Sequence, residues 1–178
     1  MAYIISCSGS KSCLSRKKTQ VSSLEDLKGF PELYKSRLEL IKKLDLKLNW
    51  DATLPANKLY TGKVYKKIHE ENWGKEKTDV IIVSALFGLI KKDELIPDYN
   101  IVMTDKIPGT NKMISTFWRE RNIAQYIDDE NDIDLLFSKY RKAFNKSSET
   151  IGIQPDVIWR DKYGSHKGEW LNQQLNIL

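Results

Sequence analysis

Four consecutive β-branched residues, Val80-Ile81-Ile82-Val83, constrain this chain more than any other stretch. A run with no polar face reads as a strand covered on both sides, the signature of an interior strand in a parallel sheet. It gives way to Ser84-Ala85, then to Gly88, to the adjacent carboxylates Asp93 and Glu94, and to Pro97-Asp98-Tyr99-Asn100. In open α/β sheets ligands collect beyond the carboxyl ends of the strands. A strand that ends in small residues, a glycine and clustered acids therefore reads as one wall of a site. Asp, Asn and Pro are also ordinary turn formers, so the segment gains weight only with a partner.

That partner is the N-terminus. Tyr3-Ile4-Ile5 reads as a first strand feeding the loop Ser6-Cys7-Ser8-Gly9-Ser10-Lys11. Such a loop offers backbone N–H groups and hydroxyls to an anion, with Lys11 adding charge. Its spacing is neither that of a P-loop nor that of a dinucleotide fingerprint. Cys7 reads either as a nucleophile or as a small buried residue at a strand end, the second being the simpler reading. Cys7 and Cys13 have no companion pair, so neither a zinc site nor any other metal centre is expected.

Between and beyond these strands the pattern is helical. Residues 13–30 are polar, basic and serine-rich and read as a mobile or irregular insertion. Pro31 starts a helix carrying Leu33, Tyr34, Leu38, Ile41 and Leu44. Further helices are expected over 62–73, 111–127, 132–145 and 169–178, with extended pieces at 101–103 and 155–160. The expected fold is a single α/β domain over 1–178, with a central, mostly parallel sheet flanked by helices. The β-α-α-β opening implies a right-handed crossover. Charged residues make up 30% of the 178 and the net charge is +5, which fits phosphate contacts without requiring them. No apolar run approaches the roughly 20 residues that cross a bilayer, and MAYIISCSGSK lacks the basic start and apolar length of a signal peptide. The expectation is a cytoplasmic protein with no membrane partner.

Three segments together carry a family resemblance: ISCSGSK at 5–11, PANKLYTGKVY at 55–65, and VSALFGLIKKDELIPDYNIVM at 83–103. STFW at 115–118 and Gly164-x-x-x-Gly168-x-Trp170-Leu171 add to it. The set resembles the YaaA superfamily, the peroxide-stress proteins and their shorter bacterial and phage relatives. This chain departs from the larger members in lacking their Ser-Pro-Ala-Lys start and in placing Asp98 between Pro97 and Tyr99. It also shows no helix-hairpin-helix segment. The resemblance implies an α/β fold and a link to nucleic-acid protection or nucleobase chemistry.

The residues and the resemblance lead to one principal expectation: an enzyme acting on DNA or a nucleotide, including one with a modified base, by cleaving or exchanging an N-glycosidic bond without a cofactor. Asp93 or Glu94 would stabilise the developing sugar cation or activate water, and His166 would protonate the leaving base. Ser8, Ser10 and Lys11 would hold a phosphate, with Cys7 and Gly9 in the same substrate-binding loop, and Tyr60 or Tyr99 would stack on a base. Gly62, Ser84, Gly88, Asp98 and Lys167 complete the expected substrate-binding set. The alternatives are a non-catalytic DNA-binding protein and a nucleotide-sensing module.

Overall fold

The computed structural model describes residues 1–75, 79–147, 149–155 and 164–177. Its centre is β1 (Tyr3–Ser6), which pairs in parallel with β3 (Val80–Ser84) in the register Tyr3↔Val80 to Ser6↔Val83. Every residue of both strands is buried, as a run without a polar face demands. On its other edge β1 pairs in parallel with the two-residue β6 (Ile133–Asp134). A fourth strand, β4 (Gly88–Lys91), returns antiparallel along β3, giving the order β4-β3-β1-β6. Beside this mostly parallel sheet lies a small antiparallel pair, β2 (Thr53–Pro55) with β5 (Leu95–Pro97). The fold is thus mixed α/β. No helix among the described residues is long and apolar enough to cross a membrane.

The helix α1 (Tyr34–Lys43) follows a 3-10 turn at Pro31–Leu33, close to expectation. It buries Arg37 completely, whose guanidinium donates to the carbonyls of Leu27, Phe87 and Leu89 at 2.8–3.1 Å. Burial pushes this group down to about 10, against the pull of Glu94 and Glu32. One cation so fastens the irregular segment 13–30 to the β3–β4 turn. That segment is also tied down by Leu24, Leu27 and Phe30 in the core.

Three expected helices are broken, each for a visible reason. After the short α2 (Ala56–Leu59), residues 62–73 form a turn at Tyr65–Lys67 and a short α3 (Glu70–Trp73). The break falls where α6 (Ser165–Ile177) docks, since Gly168 lies against the Val64 carbonyl and Asn172 accepts the His69 N–H. Residues 111–127 form α4 (Ile114–Glu120), which stops before Asn122 in the left-handed conformation, φ 50°, ahead of a 3-10 turn. Residues 132–145 supply β6 and only a short α5 (Ser138–Arg141). Asp132 accepts the N–H groups of Ala2 and Asp128 and so docks the strand beside β1. Residues 101–103 are not a strand, because the Asp105 carboxylate captures the Val102 N–H and turns the chain. The closing helix begins four residues earlier than expected. Most of the strand expected at 155–160 lies outside the described residues.

Gly88 serves packing. Its φ is +71°, and an added Cβ would sit 2.9 Å from the Trp118 ring, whose Nε1–H donates to Ala85 O at 2.8 Å. Gly88→Ala is expected to cost roughly 1–3 kcal/mol, read as a lowered urea midpoint with an unchanged slope.

Candidate functional site

The β-sheet has a topological switch at β1: the chain leaves it toward β3 and later returns to its other edge as β6. Ligand crevices form at such points, outside the carboxyl ends of the strands. A cleft of about 340 Å³ lies there, walled by Ser6–Ser10 after β1, by Phe137, Lys139 and Tyr140 after β6, and by Gly62–Tyr65. The N–H groups of Ser8 and Gly9 make no hydrogen bond among the described residues, whereas the Ser10 N–H donates to Ser8 Oγ at 3.0 Å. A side chain at Gly9 would meet nothing within 4 Å, so the loop faces open space. Gly62 is forced: a Cβ there would collide with the Ser8 hydroxyl.

Beneath the loop is a cage of phenols. The buried Cys7 Sγ is 3.3 Å from Tyr140 Oη. Tyr60 Oη lies 2.6 Å from Tyr99 Oη, which lies 2.9 Å from Ser84 Oγ, which accepts the Phe87 N–H. Tyr65 Oη donates to Ser6 O at 3.0 Å. Burial, then proximity to Cys7, pushes Tyr60, Tyr65, Tyr99 and Tyr140 well above the ordinary phenol range. These hydroxyls are neutral at physiological pH. Lys11 is held below its ordinary value by burial, partly offset by Asp98 and Cys7.

The expected site residues separate into three groups. Cys7, Ser8, Gly9, Ser10 and Gly62 line the crevice. Tyr60, Ser84, Tyr99 and Lys11 stand behind it and hold it up. Tyr60 and Tyr99 are too deeply buried to stack on a base at this crevice. Lys11 Nζ donates to Tyr99 O at 2.6 Å and sits 4.4 Å over the Tyr99 ring, while Asp98 is 3.9 Å away and largely exposed. Lys167 is buried and donates to Leu136 O, and His166 is exposed in the first turn of α6, outside the crevice lining.

Asp93 and Glu94 form the third group, and here the structure corrects the expected convergence. Because β4 runs back along β3, pairing Ile81 with Lys91, the two acids lie at the amino-terminal end of β3, opposite Cys7. Lys91 Nζ there bonds Asp79, just before β3. Glu94 accepts the N–H groups of Gly29 and Lys91 at 2.8 and 2.7 Å, a fastening rather than a reactive carboxylate. Asp93 is exposed in a separate cleft with Ser22, Asp26 and Lys28. The wall supplied by Lys63, Phe137, Lys139 and Tyr140 was missed, because 62–73 and 132–145 both read as continuous helices. Ile133-Asp134 is too short a strand to announce itself.

A sequence model of the family described as Peroxide stress protein YaaA matches residues 14–167, most of the chain. The chain belongs to that family. Its relatives include a UPF0246 protein of Streptococcus agalactiae, 28% identical over 152 residues, which span 83% of this chain and 62% of the relative. Another, from Streptococcus equi subsp. equi, is 26% identical over 146 residues, 76% of this chain and 59% of the relative. A third, from Francisella philomiragia, is 25% identical over 100 residues, 50% and 39% respectively. The matched region thus spans about three fifths of the length of these two streptococcal relatives. The family's description links it to peroxide stress. The matched span opens after the Cys7–Lys11 loop, which lies upstream of it.

Two outcomes follow from the site's construction. Glu94→Ala leaves two part-buried N–H groups without an acceptor and is expected to cost about 1–3 kcal/mol of stability, read by urea denaturation. The phenols hold their protons more tightly folded than unfolded. Their contribution is therefore complete below the unfolded value of 10.0 and is lost as pH climbs past it. The melting temperature should fall steeply above pH 10, and less steeply in Tyr99→Phe, which starts from a lower value at pH 7.

Proposed function

We propose that the crevice at the ends of β1 and β6 binds a nucleotide through its phosphate, as a free mononucleotide or as one residue of a nucleic acid. The observation that carries this reading is the pair of unoccupied N–H groups at Ser8 and Gly9, set at the sheet's switch point. Neighbouring N–H groups in a small-residue loop form an anion-binding concavity, and the cleft volume is at the lower end of the range for small-molecule sites. Lys139 on the facing wall brings positive charge, and Phe137 brings an aromatic ring. The family's stress link fits a protein that handles nucleotides or nucleic acid under attack.

Within this reading glycosidic cleavage driven by Asp93 and Glu94 has no support, since both lie at the opposite end of β3. Binding, with or without chemistry at Cys7, is the better account. The reading is tested by isothermal titration of deoxyadenosine monophosphate, inorganic phosphate and deoxyadenosine. The monophosphate should bind, deoxyadenosine should bind at least tenfold more weakly, and Lys139→Ala should weaken the monophosphate several-fold. Asp93→Asn should change nothing beyond twofold. Equal binding of nucleoside and nucleotide, or loss of binding in Asp93→Asn, overturns the assignment.

A further inference from the structure

A second cleft, of about 500 Å³, adjoins the crevice on the far side of Tyr65. The partition between them is narrow and well fixed. The Tyr65 hydroxyl reaches Ser6 O on the crevice side, while its ring stacks on Trp73, a wall of the second cleft, at 5.9 Å and 17°. Beside it, the bridge between Lys11 and Tyr60 runs along the same divide, with Ser8–Ser10 on the crevice side and Ser12 on the other. A ligand longer than one nucleotide, seated in the crevice, therefore has the second cleft as its next station.

The chemistry of that cleft is suited to phosphates. Lys17, Lys18, Lys58 and Lys66 line it against a single acid, Glu70. Glu70 pairs with Lys58 at 3.0 Å, and its carboxyl is held below its ordinary value mainly by that contact, with Lys17 adding to the pull. Lys17, Lys18 and Lys66 make no ion pair among the described residues, so the cleft keeps a net positive charge. Lysines around an aromatic wall are how single-stranded nucleic acids are held without regard to sequence. A duplex keeps its bases stacked inside, whereas small concave clefts in series suit a strand whose nucleotides are laid out one after another.

We infer that the two clefts form one continuous binding track for a single strand of nucleic acid, with Lys17, Lys18 and Lys66 holding the phosphodiesters next to the nucleotide in the crevice. This rests on the nucleotide reading of the crevice and adds that the ligand is a strand.

The test is fluorescence anisotropy with oligodeoxyadenylates of two, four and eight nucleotides, each competed with deoxyadenosine monophosphate, at 50 and 200 mM salt. Affinity should rise at least tenfold from the mononucleotide to the tetranucleotide. In the triple variant Lys17→Ala, Lys18→Ala, Lys66→Ala that gain should disappear, and the salt slope of oligonucleotide binding should fall by ~2, at about 0.7 per lost phosphate contact. Mononucleotide binding should stay within twofold, and the variant's unchanged melting temperature should show that it folds. If the mononucleotide binds but length brings no gain, or the gain survives the triple variant, the track is overturned and the crevice reading stands. If the mononucleotide does not bind at all, the crevice reading falls and takes the shared strand with it. A duplex octamer binding as tightly as the single strand also overturns the track.

Discussion

The parallel ladder through Tyr3–Ser6 is the contact on which the rest depends. These four residues are held between β3 and β6, and both faces of the strand are buried. Because the neighbours approach from opposite edges, the chain after β1 emerges into a notch rather than onto a surface. The crevice is a consequence of strand order before it is a consequence of any side chain. Small residues then do what the notch requires: Ser8, Gly9 and Gly62 leave room, and Cys7 turns inward to Tyr140.

Behind the loop the molecule uses neutral hydroxyls where charge would be costly. Tyr60, Tyr99 and Ser84 form a chain of short hydrogen bonds that ends on a backbone N–H. The fully buried cation, Arg37, is tolerated because three carbonyls receive it. Lys11 is treated similarly, its ammonium placed on a carbonyl and over a ring. Arg37 thus joins the 13–30 segment to the β3–β4 turn, and Lys11 ties the loop after β1 to Tyr99.

What the sequence made legible were the features with strong local signals. Val80–Val83 and Tyr3–Ile5 are strands, the loop after Ile5 lines the crevice, and the helix after Pro31 is present. The misreadings have a common cause, tertiary contacts overriding local pattern. The β3–β4 turn is made by Ala85, Leu86 and Phe87, all fully buried, with only Gly88 to mark it. Without that reversal Asp93 and Glu94 seemed to follow directly from the carboxyl end of β3. Lys63 and Lys139 were hidden inside apparent helices that α6 and β6 interrupt. A two-residue strand such as β6 is created by its neighbour, through Asp132 and Ala2, and carries no pattern of its own.

The strand order also sets a timetable. β1 leaves the ribosome first, yet Tyr3 must wait for Val80 and then for Ile133. At synthesis rates of roughly 5–20 residues per second, that wait is on the order of ten seconds. Throughout it, Tyr3-Ile4-Ile5 and the cysteine behind them belong to an unsheltered segment of nascent chain. In a family linked to peroxide stress, the interval when Cys7 is most open to oxidants is therefore its birth, before the phenol cage has closed around it.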